Sequence, residues 1–225
     1  MLFELDSENT VFPHPRYADE DGLLAVGGNL TPERLLTGYR YGIFPWYSEN
    51  SPILWYAPHE RFVLHPHKVK VSKSMQKTIH QKLFTITRNR CFEDVIRACA
   101  AIPRKDQDGT WIVEDIIAAY SQLHQMGFAH SVEVWREDSL VGGLYGILVG
   151  KVFCGESMFS RVSNASKTAL IYLCQNFDLT LIDCQIYSRH LESLGAEIMP
   201  QLDFLDILAQ QEYCRNGLQE LFLNR

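Results

Sequence analysis

The stretch HSVEVWREDSLVGGLYGILVGKVFCGESM, His130 to Met158, decides the fold. Alternation over His130–Arg136 predicts a strand, and Glu137-Asp138-Ser139 predicts the turn after it. Leu140–Val149 reads as a second strand, hairpin-paired with the first, and Lys151–Met158 as a third. Gly142, Gly143 and Gly146 fall inside the second strand. Glycine at such a place marks a bulge or a close backbone approach.

On the N-terminal side of this meander, Arg61–Leu64 reads as a strand, Ser72–Gln81 as a helix and Phe84–Thr87 as a strand. Cys91–Ala100 is a helix with Phe92, Val95, Ile96 and Cys99 on one face. Trp111–Met126 is a helix closed by Gly127. On the C-terminal side, an amphipathic helix covers Asn164–Asn176 and a strand Thr180–Ile186. A helix follows over Ser188–Leu194, then a strand over Ala196–Met199 and a last helix over Asp203–Gln211. The order predicts an α+β protein. It resembles a GNAT-type acyltransferase core, a mixed sheet whose two central strands splay apart. Residues 1–60 differ, being rich in Pro, Gly and aromatics, with one helix introduced by the Thr31 cap and Pro32. The predicted organisation is a small N-terminal α/β subdomain over residues 1–60 and a GNAT-like catalytic domain over 61–225.

The 225 residues are 46% hydrophobic, 21% charged and 12% aromatic, as in an ordinary globular protein. No apolar run approaches the ~20 residues of a membrane helix, and residues 1–6 lack a signal-peptide pattern. Six cysteines without C-x-x-C spacing indicate reduced thiols, and so a cytoplasmic protein. The net charge of −6 is unevenly spread. Residues 61–105 carry eleven Lys or Arg against two acids, whereas the other 180 carry ten against twenty-five. A basic face on an acidic body suits a phosphate backbone, and a solvated helix face is the bland alternative.

Asp183 and Gln185 lie two apart on a predicted apolar strand, which places them on one face. They form either a buried pair satisfied by backbone or a ligand site. Glu156 ends another apolar strand, where a charge must be used or paired. Two carboxylates converging on one cleft could bind an ammonium and perturb its pKa. Trp46, Trp55, Trp111 and Tyr120 are candidates for stacking on a base or for core packing. Ser157 lacks the G-x-S-x-G context of a nucleophile. His65-Pro66-His67 lacks a third metal ligand. No phosphate-binding glycine motif occurs.

Several blocks, in order, closely resemble the leucyl/phenylalanyl-tRNA–protein transferases. They are Gly22–Leu30, Gly42-Ile43-Phe44-Pro45-Trp46, Gly109-Thr110-Trp111-Ile112, His130–Trp135, Leu140–Gly146, Phe153–Arg161, Asn164–Leu170 and Leu181–Gln185. The resemblance implies transfer of Leu, Phe or less often Met from aminoacyl-tRNA to the α-amino group of proteins beginning with Arg or Lys. The product is an N-end-rule degradation signal. It implies no cofactor, no metal, no membrane partner and a monomer. Trp46 and Trp111 would hold the terminal adenosine, with Tyr120 shaping that region. Asp183 would orient Gln185, and Gln185 and Glu156 would meet the reacting groups. Phe153, Leu170, Leu173 and Ile182 would line the amino-acid pocket. Lys73, Lys77 and Lys82, on one helix, would contact the acceptor stem. The expected mechanism is direct attack by the acceptor amine, deprotonated with help from Asp183, with Gln185 steadying the tetrahedral intermediate. Alternatives are an acetyl-CoA-dependent GNAT enzyme, disfavoured because Ser160–Asn164 replaces the pyrophosphate loop, and a non-catalytic tRNA-binding module.

Overall fold

The protein is described over residues 2–102 and 110–211 by a computed structural model. Gly109, Arg104, Lys105 and Cys214 lie outside the described residues.

The first elements are β1 (Phe3–Leu5), β2 (Leu23–Gly27), α1 (Pro32–Arg40), β3 (Phe44–Pro45) and β4 (Leu54–Tyr56). The four strands form a sheet of order β1-β2-β4-β3. Helix α1 begins as its sequence predicts: the Thr31 side chain accepts the Arg34 N–H and Pro32 fills the first turn. The strands are only two to five residues long, too short for alternation to reveal. Fully buried Trp55 anchors the sheet, its indole N–H donating to the Gly27 carbonyl at 2.9 Å.

The larger unit contains β5 (Glu60–Leu64), α2 (Lys73–His80), β6 (Thr85–Arg88), α3 (Phe92–Ala100), α4 (Glu114–Gln125), β7 (Ala129–Arg136), β8 (Ser139–Val149), β9 (Val152–Ser160), α5 (Ala165–Asn176), β10 (Leu181–Asp183), α6 (Arg189–Glu192), β11 (Glu197–Pro200) and α7 (Gln201–Ala209). Its sheet has the order β11-β5-β10-β9-β8-β7-β6. Within this sheet, among the described residues, β9 and β10 pair in parallel and the other neighbours are antiparallel. The α+β expectation holds. Alternate residues of β8 feed two cores: Leu144 and Leu148 join the cluster containing α5, Tyr145 and Ile147 the cluster containing α3 and α4. The β8 glycines mark close approaches. A Cβ on Gly142 would lie 2.5 Å from that of Ala165, and one on Gly146 would lie 2.2 Å from the Cys154 carbonyl.

Three differences in element boundaries bear on the site. β10 stops at Asp183 rather than reaching Ile186. α4 begins at Glu114, so Trp111 precedes the helix in a loop. Lys82 is not on α2 with Lys73 and Lys77; it follows the helix end with φ +49°, the left-handed conformation in which helices commonly stop. The last helix packs on β5 and β11 and reaches back to the link between β4 and β5. Gln201 at its start donates to the carbonyls of Ala57 (2.7 Å) and Pro58 (3.2 Å), while Phe204 and Leu205 pack on Gly42. Cys91, Cys99, Cys154, Cys174 and Cys184 are free thiols. Among the described residues no helix is long and apolar enough to cross a membrane.

Candidate active site

Strands β9 and β10 pair from Leu181↔Val152 to Asp183↔Cys154 and then part. Two local features open them. In β9, Tyr145 opposes Ser157 and Gly146 opposes Gly155, so Glu156 is the extra residue of a β-bulge. After β10, Gln185 has φ +64° and the Ile186 N–H donates to the Cys184 carbonyl at 2.8 Å. That is the rare, strained form of γ-turn. A non-glycine residue held there costs on the order of 1–3 kcal/mol, sustained by its surroundings. Together the bulge and the turn bring Gln185 Nε2 to 2.8 Å from Glu156 Oε1.

Glu156 is buried among neutral donors. Its Oε1 also accepts the Tyr39 hydroxyl at 2.7 Å, and its Oε2 accepts the Tyr120 hydroxyl at 3.3 Å. The two phenols contact each other. Burial pushes the Glu156 carboxyl up to about 7 and the nearby Asp183 charge adds to that, while hydrogen bonds from Tyr39, Tyr120 and Gln185 pull against it. Burial, and then the Glu156 charge, raise both phenols well above their usual range, so they remain donors. A carboxyl near 7 can take a proton from an amine and return it to a leaving oxygen.

Asp183 is fully buried in a different setting. Arg61 Nε donates to Oδ1 at 2.9 Å and Arg61 Nη2 to Oδ2 at 2.7 Å. Oδ1 also accepts the Gln185 backbone N–H at 2.8 Å. Asp183 thus holds the γ-turn through the main chain, not by sharing a strand face with the Gln185 side chain. Both Asp183 oxygens are thus engaged by one guanidinium, whereas the hydrogen-bond donors around Glu156 are all neutral. Burial, the largest single influence, would lower the pKa of Arg61; the Asp183 charge and its hydrogen bonds, with smaller help from Cys154 and Glu156, together hold the arginine above its ordinary value.

A cavity of about 370 Å³ is lined by Trp46, Trp111, Glu156 and Gln185, with Tyr187 and Leu191 at its side. A smaller apolar pocket of about 100 Å³ is lined by Phe153, Leu170, Ile182, Leu144 and Leu191. Glu156, Ser157, Met158, Cys184 and Leu191 border both, so the two spaces adjoin along these residues. Two expected positions differ. Tyr120 is fully buried and outside the lining of the tryptophan cavity, with its hydroxyl on Glu156. Leu173 lies in the apolar core with Phe153, Leu170 and Ile182 but does not line the pocket.

The basic face is smaller than the +9 segment suggests. Arg61 is buried against Asp183, Lys68 pairs with Glu197 and Arg97 pairs with Glu93 and Glu114. Lys73, Lys77 and Lys82 are exposed. Thr78 of α2 accepts from Asn164 at 3.3 Å, which sets this helix beside the start of α5. Among the described residues no group of three or more His, Cys, Asp or Glu could hold a metal ion.

Tyr39 and Arg61 are site residues that sequence reasoning missed. A tyrosine on an amphipathic helix reads as core, and an arginine in a basic segment reads as surface. The only advance signal was arithmetic: buried Asp183 on an apolar strand called for a cation from elsewhere in the chain.

A profile described as leucyl/phenylalanyl-tRNA protein transferase matches residues 63–209, and one for the N-terminal domain of the same proteins matches residues 28–59. Among curated relatives, one from Psychromonas ingrahamii is 52% identical over 212 residues, covering 92% of this chain and 89% of the relative. One from Hydrogenovibrio crunogenus is 53% identical over 216 residues, 94% of this chain and 84% of the relative. One from Syntrophus aciditrophicus is 55% identical over 201 residues, 88% and 84% respectively. All three carry the name leucyl/phenylalanyl-tRNA–protein transferase.

Proposed function

The chain belongs to the leucyl/phenylalanyl-tRNA–protein transferase family, and from that membership we propose how its two cavities and two carboxylates divide the reaction. It is an aminoacyltransferase with an aminoacyl-tRNA and a protein as substrates. The donor carries Leu or Phe, less readily Met, and the acceptor is the α-amino group of a protein beginning with Arg or Lys. The product is a degradation signal. The enzyme acts as a monomer in the cytoplasm, where charged tRNA is found. Residues 1–60 form the smaller unit, which contributes Tyr39, Gly42, Phe44, Pro45 and Trp46 to a site completed by residues 61–225.

Trp46 and Trp111 hold the terminal adenosine in the larger cavity. The donor side chain enters the adjoining pocket against Phe153, Leu170 and Ile182. An apolar pocket separates chains differing by one methylene by only about 1–3 kcal/mol, which fits tolerance of Leu, Phe and Met. The esterified carbonyl then lies where the cavities meet, beside Glu156 and Gln185. Lys73, Lys77 and Lys82 bind the acceptor-stem phosphates.

The acceptor nitrogen attacks the ester carbonyl and a C–N bond forms. Its proton passes to Glu156. Gln185 donates one amide hydrogen to Glu156, and the second is available to the oxyanion. As the intermediate collapses, the C–O bond to the ribose breaks and Glu156 returns the proton to the ribose oxygen. The ester is already activated, so positioning and proton management suffice. Asp183 serves by fixing the turn that carries Gln185.

The observation that carries this reading is the 2.8 Å Glu156–Gln185 contact at the junction of the two cavities. The direct test incubates the protein with labelled Leu-tRNA and a reporter beginning with Arg, against the same reporter beginning with Gly. Label is expected on the Arg form alone. Equal labelling of both, or of neither, would end the acceptor assignment.

A further inference from the structure

We propose that Arg61 is a positioning residue for transfer: by clamping Asp183 it fixes the backbone turn that aims Gln185 at Glu156. The inference rests on the role assigned to Gln185 above.

The guanidinium uses all of its faces and edges. Nε and Nη2 grip the two oxygens of Asp183, and Nη1 donates to the Gly42 carbonyl at 2.8 Å. Its flat faces lie against two rings, with the Phe44 and Phe204 centroids each 4.8 Å away. The side chain is 2% exposed. β5, the segment after α1, β3 and α7 therefore converge on one guanidinium, which grips the Asp183 carboxylate. That carboxylate in turn accepts the Gln185 N–H inside the strained turn. Without a rigid acceptor there, the left-handed conformation of Gln185 loses the bond that sustains it. An ion pair whose only task was to stabilise the core would need no third bond to a turn residue. Its oxygens are shared instead, one of them accepting both Arg61 and Gln185.

A lysine can supply the charge but not the fork. One ammonium cannot present two parallel donors to Asp183, a third to Gly42 and flat faces to two rings. Arg61→Lys thus separates positioning from neutralisation. It is expected to fold, to keep KM for Leu-tRNA within ~3-fold and to lower kcat by ~10–100-fold, the signature of an interaction that matters in the transition state. A double-mutant cycle with Gln185→Ala decides the route. If Arg61 acts through Gln185, Arg61→Lys costs no more than ~3-fold further in the Gln185→Ala background.

Equal fold-losses in both backgrounds overturn the proposal and leave the role of Gln185 standing. A folded Arg61→Lys protein with parental kcat and only a lowered melting temperature overturns it as well, reducing Arg61 to a core ion pair. If Gln185→Ala alone transfers at the parental rate, the reading of the site fails and this proposal falls with it. Arg61→Ala assayed with and without added guanidinium provides a further arm. Restored kcat supports positioning; failure to fold leaves the lysine variant to decide.

Discussion

Glu156 on β9 and Asp183 on β10 are both buried acids on adjacent strands, yet their surroundings differ in one respect. Asp183 faces a guanidinium, whereas Glu156 faces two phenols and an amide. The two-pronged grip of the guanidinium, with the Gln185 N–H on the same carboxylate, makes Asp183 a structural anchor. Neutral donors only partly offset the burial of Glu156, which leaves it able to gain and lose a proton near neutrality. The task of a buried carboxylate follows from the charge of its partners rather than from its depth.

Replacing each acid should therefore fail in a different way. Asp183→Ala is the larger lesion. It leaves Arg61 buried without a counter-charge, at a cost of about 3–5 kcal/mol in urea unfolding. It should also lower transfer at least ~100-fold with tRNA affinity nearly intact. Near-normal turnover by the folded variant would erase the distinction between the two acids. Glu156→Gln preserves shape and should retain close to parental stability at neutral pH, while transfer drops by ~100-fold or more under single-turnover conditions. A fully active Gln variant would remove Glu156 as the base.

Proton linkage sharpens the contrast. Glu156 titrates at about 7 in the folded protein against an ordinary 4.5, so the unfolded chain loses its proton first. The Glu156 contribution to stability is thus present at low pH and declines as pH rises from 4.5 to about 7. The slope is at most about 1.4 kcal/mol per pH unit. Unfolding followed across that interval should show the decline in the parent and a flatter profile in Glu156→Gln. Activity runs the opposite way, rising through about 7 as the carboxylate forms. Tyr39→Phe removes a hydrogen bond that favours the charged form, so the rising limb of kcat/KM should move to more alkaline pH. The acceptor amine also titrates at roughly 7.7–8, but its limb would stay in place. A stationary limb therefore assigns it to the amine. The smallest effect is expected far from both acids: Lys77→Ala should weaken tRNA binding uniformly and reduce the salt slope by ~1 with kcat unchanged.

The β7–β9 meander was legible because its strands are long, β7 alternating in sequence and β8 running as a nearly continuous apolar stretch. The first sheet was not, since two-residue β3 and three-residue β4 carry no period. Glu156 announced itself as a charge at the end of an apolar strand. Gln185 was found for a reason that the structure replaces: strand alternation pointed to it, but a γ-turn beyond the strand places it. Tyr39 and Arg61 were hidden because their roles depend on partners 117 and 122 residues away. Leu173 and Lys82 show the converse. Resemblance supplies a residue, but one turn of helix or one left-handed residue decides where it faces.

The hydrogen bonds from Gln201 to Ala57 and Pro58 have a consequence for biosynthesis. Residues 57 and 58 leave the ribosome early, yet the helix that holds them is among the last described segments to be made. A nascent chain must wait for α7 before Gln201 ties down this link and Phe204 reaches Arg61. Stalled or prematurely ended chains would carry Glu156 and Gln185 without the finished enclosure around them.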